Sequence, residues 1–381
     1  MKIDYINLKE SNSKVKDNIL SKISDVIDSS IFINSKYQEE FESNFSDWLR
    51  SLSNPYPLWN YVIGVSSGTA ALEVALRCLD IGPGDEVISS TMGWVVDASV
   101  VLSVGAQPVF CDVEPETLNI DPEQVEIKIT EKTKAIIAIH LYGNVCDLKN
   151  LNRFGIPVIE DCSHAHGSTH DGHSVGVGRG NQISIFSCYP TKTFGAMGEA
   201  GIIATTRKDY EIKIRSIINQ GKPNFDNFPM NARMSVFQAI VLNEKLKYLN
   251  DDIEKRRKIM KIYDDNLSFD IFNQIKSFNR VGCSPHLYTI APKDPQRYRN
   301  VLKKENIGFA TYYNFSLHEL EFCKKYYKSD HQYSVTMEMK DRVISLPLYP
   351  SMDIFDVYKV CVALNKEAYG EANREELLSK I

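Results

Sequence analysis

The sequence predicts an α/β protein. A large domain carries a mostly parallel, mixed sheet sandwiched by helices, and a smaller C-terminal α+β domain follows. Three observations carry this expectation. Between Tyr61 and about Thr205, short β-rich runs alternate with stretches of helical apolar spacing. The runs are continuously apolar, as in strands covered on both faces. After residue 268 the rhythm changes, within a 381-residue chain long enough for one large or two ordinary domains. The division expected is residues 1–250, with the N-terminal helices, and residues 251–381.

Residues 16–29 (KDNILSKISDVIDS) and 37–50 (YQEEFESNFSDWLR) have helical spacing with polar outer faces. The strand candidates are YVIGV (61–65), DEVISS (85–90), QPVFCDV (107–113), KAIIAIHLY (134–142), IPVIED (156–161), ISIFSC (183–188) and AGIIAT (200–205). Helical segments such as GTAALEVALRCL, WVVDASVVLSVG and EQVEIKIT separate the first five and predict parallel pairing. Only the loop YPTKTFGAMGE lies between the last two, which predicts an antiparallel or irregular edge. One long helical stretch (235–267) follows, then a strand-like PHLYTIAP, two helical stretches and SLPLYP.

Composition narrows the function classes. An apolar fraction of 43% with 24% charged residues is that of a globular protein. A net charge of −5 without a long basic block gives no reason to expect nucleic acid. The start has no apolar signal core and no run approaches a membrane span, so a cytoplasmic protein without a membrane partner is expected. Eight cysteines without a C-x-x-C pair fit reduced thiols.

In open α/β sheets ligands bind beyond the carboxyl ends of the strands. The residues standing there are the turn Ser66-Ser67-Gly68-Thr69, Trp94, Asp161 with Cys162, Ser163 and His164 behind it, Ser187, and Lys192. Singly, each has a plain reading: a helix cap, a core aromatic, a solvated lysine. Taken alone the turn reads first as a cap, and second as an anion site at a helix start. Together they supply an amine, a carboxylate, an aromatic plate and hydroxyl donors. Pyridoxal phosphate needs that set: a lysine for its aldehyde, an acid for its ring nitrogen, donors for its phosphate and a flat face for its ring. His164, His166, His170 and His173 raise a metal, but their spacing lacks the tight pairs of zinc sites, so none is expected. GVGRG (176–180) has no strand leading into it and reads as a glycine turn.

The segments GVSSGTAAL, IGPGDEVISS, GAQPVFCDVEPETLNIDP, TKAIIAIHLYGNVCDL, VIEDCSHAHGS, FSCYPTKTFGAMGEAG, NARMSVFQA and SLPLYP run from about residue 60 to 350. In this order they resemble the DegT/DnrJ/EryC1/StrS sugar aminotransferases, which have the fold-type-I architecture of pyridoxal-phosphate enzymes. The resemblance implies that Lys192 forms the internal aldimine and shuttles the proton, and that Asp161 pairs with the pyridine nitrogen. It places Trp94 on the ring and His164 near the ring hydroxyl. Gly68, Thr69 and Ser187 would hold the phosphate, so SSGT is cradle as well as cap. Asn231 would reach the neighbouring subunit's phosphate, which makes a homodimer with shared active sites an expectation. Dehydrating relatives carry histidine in place of the lysine, so Lys192 favours transamination.

Departures fall mainly outside the cofactor residues. The family's His-Tyr-Pro-x-Pro-Leu-His reads YYNFSLH here (312–318), keeping Tyr313 and His318 as substrate candidates but losing both prolines. GEAG stands where GEGG or GDGG is usual, and Gly93 where many members have Thr. The expected reaction moves an amino group from glutamate or glutamine onto a nucleotide-linked keto-deoxysugar. A ketocyclitol acceptor with glutamine as donor is the alternative, on the wording of WVVDASVVL and VFCDVEPETL. A relative that binds cofactor or sugar without turnover is the reading from another class, and Lys192 argues against it. A nicotinamide-dependent oxidoreductase lacks its G-x-G-x-x-G after the first strand.

Overall fold

The computed structural model describes residues 2–53, 60–170, 172–177, 181–275, 282–327 and 332–370. The chain order of the first strands is β1 (Tyr61–Val65), β2 (Glu86–Ser90), β3 (Gln107–Cys111), β4 (Thr133–Ile139) and β5 (Val158–Asp161). A small hairpin, β6 (Thr169–His170) with β7 (His173–Ser174), precedes β8 (Ile183–Ser187) and β9 (Gly201–Thr205). Seven of these form one sheet in the order β1-β9-β8-β5-β4-β2-β3. The pairs β8–β5, β5–β4, β4–β2 and β2–β3 are parallel. Strand β9 runs antiparallel to both β8 and β1.

The short β8–β9 connection therefore gives the antiparallel pair it predicts, but β9 is not an edge. Strand β1 pairs along its outer side, and all five β9 residues are buried. The sheet has two cores because successive strand residues point to opposite faces. Ile203, Ile185 and Ile63 join one core with Leu72 and Leu76 of the helix Gly68–Cys78. Their neighbours Ile202, Ala204, Phe186 and Val62 join the other, with Phe41, Phe45 and Leu49 of the helix Lys36–Ser51. Continuous apolar strands are what such two-sided burial requires.

The predicted 235–267 helix is two helices, Val236–Leu246 and Leu249–Asn266. The second starts in the core containing Phe41 and ends in a third core, through Ile259 and Tyr263. That third core is the C-terminal α+β unit: β10 (Tyr288–Ile290) antiparallel to β11 (Ile344–Leu346), covered by the helices Pro295–Lys304 and Ile354–Tyr369. Ile3, near the start of the chain, bridges Ile307 and is buried in the same core. Of the GVGRG stretch, residues 178–180 lie outside the described residues.

Two ties fix the C-terminal unit to the carboxyl end of the sheet. The Asp112 carboxylate accepts the N–H groups of Val335 and Thr336 at 2.9 Å each, holding the start of the helix Ser334–Arg342. The Thr91 carbonyl, just past β2, accepts the Leu317 N–H at 2.8 Å. The loop 312–318 is thereby laid across the strand ends.

Candidate active site

At the end of β1 the chain turns directly into the helix Gly68–Cys78. The Ser67 hydroxyl caps it by accepting the Ala70 N–H at 3.1 Å, a bond worth about 1 kcal/mol. Gly68 and Thr69, ahead of that bond, line a cavity with the positive end of the helix dipole behind them. Glycine is required at residue 68 because a Cβ there would stand 2.6 Å from the Ser187 Cβ. The hydroxyl of Ser187, at the end of β8, can thus close against the helix start.

Asp161 ends β5. It is buried, and its Oδ1 accepts the Ser163 N–H at 2.8 Å. The Ser163 hydroxyl in turn accepts the Ser187 N–H at 2.9 Å, tying the two strand ends together. Beyond β8 the loop folds back on itself. Lys192 donates its N–H to the Tyr189 carbonyl at 2.8 Å, and a Cβ at Gly195 would strike the Pro190 carbonyl at 2.3 Å. This tight loop delivers the Lys192 amine to the cavity that Asp161 lines.

The cavity measures about 460 Å³, within the usual size of small-molecule sites. Trp94, half exposed, lines it with its ring 5.8 Å from that of Tyr313. His164 is buried and packs at a tilt against His286, ring centres 4.4 Å apart; its Nδ1 accepts the Tyr142 N–H at 3.3 Å. Burial, then the positive charge of Lys192, holds His164 well below the ordinary imidazole range, so the ring is neutral. Another cavity of about 450 Å³ beside the β6–β7 hairpin contains His170 and His173 but no amine.

The structure thus gathers Gly68, Thr69, Trp94, Asp161, His164, Ser187, Lys192 and Tyr313 in one cavity. It does not bring Asn231 or His318 there. Asn231 is exposed and accepts a hydrogen bond from Arg233 at 3.2 Å. His318 is held by the Ser316 hydroxyl at 2.6 Å and packs on Tyr333. Of the four histidines that raise a metal, His166 is buried between Phe186 and Phe194, apart from the hairpin pair. A different trio, His140, Glu160 and Cys162, places its potential ligand atoms within 4.8 Å of one another. There Glu160 already accepts from Ser184 and from the Gly176 N–H, with His140 Nε2 at 3.3 Å.

Sequence reasoning missed several lining residues, among them Asp97, Tyr189, His286 and Tyr312. Asp97 is a lone acid within the apolar WVVDASVV, a signal that was available. His286 and Tyr312 come from distant sequence, and no local pattern marks them. The Tyr142 hydroxyl donates to the Tyr312 carbonyl and anchors that loop.

Burial lowers the Lys192 amine from 10.5 to about 8, with the Asp161 charge pulling the other way. At pH 7 about a tenth of such an amine is neutral, against under a thousandth for an ordinary lysine. Only the neutral form attacks an aldehyde. The rate at which cofactor-free protein captures pyridoxal phosphate should therefore climb with pH and level off above about 8. Stopped-flow absorbance checks this, and a profile flat from pH 6 to 9 would contradict the assigned environment.

Residues 13–365 match the model of the DegT/DnrJ/EryC1/StrS aminotransferase family. A pleiotropic regulatory protein of Geobacillus stearothermophilus is 31% identical, over 92% of this chain and 95% of that protein. A dTDP-3-amino-3,6-dideoxy-alpha-D-galactopyranose transaminase of Aneurinibacillus thermoaerophilus is 29% identical, over 96% of this chain and all of that protein. The crystal structure of NtdA from Bacillus subtilis, with bound cofactor PMP, superposes with a TM-score of 0.84 at 28% identity, covering 96% of this chain and 85% of that one. The chain belongs to the DegT/DnrJ/EryC1/StrS aminotransferase family, has the fold-type-I architecture, and is a pyridoxal-phosphate-dependent transaminase.

Proposed function

We propose that this family member moves the amino group of glutamate or glutamine onto the keto group of a nucleotide-linked keto-deoxysugar. The observation that carries the reading is the convergence of Lys192, Asp161 and the Gly68–Thr69 helix start on one cavity. The residues fit the cofactor on structural grounds. Lys192 is its only lysine or arginine among the described residues, Asp161 is a buried carboxylate with one oxygen engaged by Ser163, and the glycine at residue 68 opens the helix start. Bound pyridoxal phosphate supplies the electron sink that lets a proton leave the carbon bearing the amino group.

The chain's own residues do the rest. Asp161 would hold the ring nitrogen, and the N–H groups of Gly68 and Thr69 with the Ser187 hydroxyl would hold the phosphate. Trp94 would offer its face to the ring, and neutral His164 would serve the side of the ring hydroxyl. Lys192 would hold the aldehyde and supply the base that moves the donor's proton. The acceptor's sugar ring meets an aromatic mouth of Trp94, Tyr189, Tyr312 and Tyr313. An exposed Asn231 outside this cavity fits a homodimer in which Asn231 of one subunit reaches the phosphate of the other. Eight free cysteines fit a cytoplasmic enzyme. Among the described residues no helix is long and apolar enough to cross a membrane.

The test is the visible absorbance of the holoenzyme with glutamate and, separately, glutamine. One donor should bleach the band, and a nucleotide-linked keto sugar should restore it. Restoration only by a ketocyclitol, with glutamine the better donor, would replace the sugar by the cyclitol. A band that neither donor bleaches would overturn the proposed donors.

A further inference from the structure

Asp97 is a second buried carboxyl group in the cavity, unused by the roles assigned above. It stands in the first turn of the helix Val96–Ser103 and is only 1% exposed. Its Oδ2 accepts the Trp94 N–H at 2.9 Å, whereas Oδ1 has no hydrogen-bond partner in the described structure. The side chain lines the same cavity as Asp161, whose charge and hydrogen bonding bear on it. Two ionised carboxylates cannot share such a dry contact, so one must carry a proton.

Gly93 makes the arrangement possible. A Cβ at residue 93 would lie 2.8 Å from Asp97 Oδ2 and 2.7 Å from the Ile139 methyl. The glycine at residue 93 and the acid at residue 97 are therefore one structural unit: a side chain at 93 would displace the carboxyl. The other groups whose charge bears on the Asp97–Asp161 pair are the Lys192 amine and the buried hydroxyl of Tyr313.

We propose that Asp97 is a positioning residue, a neutral carboxylic acid that donates its proton to the Asp161 carboxylate and leaves Asp161 as the single charged partner of the cofactor's ring nitrogen. This rests on the reading of the cavity as the pyridoxal phosphate site. Burial, followed by the neighbouring Asp161 charge, pushes Asp97 well above the usual carboxylate range, which agrees with the geometry. Asp161 then accepts from Ser163 and from Asp97, fixed in orientation before any cofactor arrives.

Asparagine is the close mimic of a protonated aspartate, because its amide accepts from Trp94 and donates to Asp161. Leucine is similarly branched, somewhat larger, and does neither. Cofactor affinity is read by absorbance titration, and ring-nitrogen protonation by the nitrogen chemical shift of nitrogen-labelled pyridoxal phosphate. Asp97→Asn should keep the wild-type affinity within about twofold and leave the shift in place, while Asp97→Leu should weaken binding about tenfold and move the shift toward the unprotonated ring. Equal losses in both variants would mean that a charged Asp97 is needed, and no loss in either would mean that it has no role; each result overturns the proposal. Should the leucine variant fail to fold, infrared spectroscopy of wild-type protein decides. A protonated-carboxyl stretch that disappears in Asp97→Asn supports the proposal, and its absence overturns it. Wild-type protein that shows no visible band with pyridoxal phosphate would instead defeat the cofactor-site reading itself.

Discussion

Lys192→Ala should lower turnover by about 10³-fold or more, with pyridoxal phosphate still bound non-covalently. The size follows from the lining of the cavity. Among the described residues Lys192 supplies its only amine, so no described neighbour can take over the attachment of the aldehyde or the proton transfer. The helix start at Gly68 and Thr69 and the carboxylate of Asp161 are untouched, so the partners proposed for the phosphate and ring nitrogen remain. Steady-state rates and equilibrium dialysis separate the two effects, and retained turnover would remove Lys192 from the mechanism. The same variant tests the dimer. Mixed with Asn231→Ala subunits, it should regain part of the lost activity if each site takes Lys192 from one chain and Asn231 from the other. Heterodimers of verified composition that stay inactive would mean that the sites are not shared.

Asp161→Asn should bind cofactor yet lose about 10²- to 10³-fold in turnover. The amide keeps the shape and still accepts from Ser163, so what is removed is the charge proposed to face the ring nitrogen. Without that charge the ring no longer holds its proton, and proton loss from the donor carbon slows. A second consequence has a defined sign. The Asp161 charge raises the Lys192 amine against the pull of burial, so neutralising it should move the midpoint of cofactor capture below about 8. Near-normal turnover with an unmoved midpoint would contradict both roles.

Most of the cofactor half of the site was legible because each of its groups sits at the end of a strand that local pattern identifies. SSGT after YVIGV, Asp161 closing IPVIED, and Ser187 closing ISIFS are fixed in space once the strands are parallel. Asp97 was legible in principle, as one acid in an apolar helix, but its worth appears only beside Asp161. The acceptor side was not legible. Tyr312 reaches the cavity through the Tyr142 hydroxyl and the tie of Thr91 to Leu317, and His286 through its N–H on the Tyr142 carbonyl, all contacts between residues far apart in sequence. His318 shows the converse: a motif match placed it at the substrate, whereas its bond to Ser316 and packing on Tyr333 keep it off the cavity.

By itself the sequence determined the α/β class, the strands and the ends at which chemistry-bearing residues stand, because periodicity and turn residues are local properties. Its motifs identified the cofactor. Only the tertiary structure decided that β9 lies inside the sheet and that the expected single helix 235–267 breaks in two. It alone decided that a second carboxyl group leans on Asp161. Those outcomes depend on which distant surfaces bury one another, and burial is also what makes the Lys192 amine reactive near neutral pH.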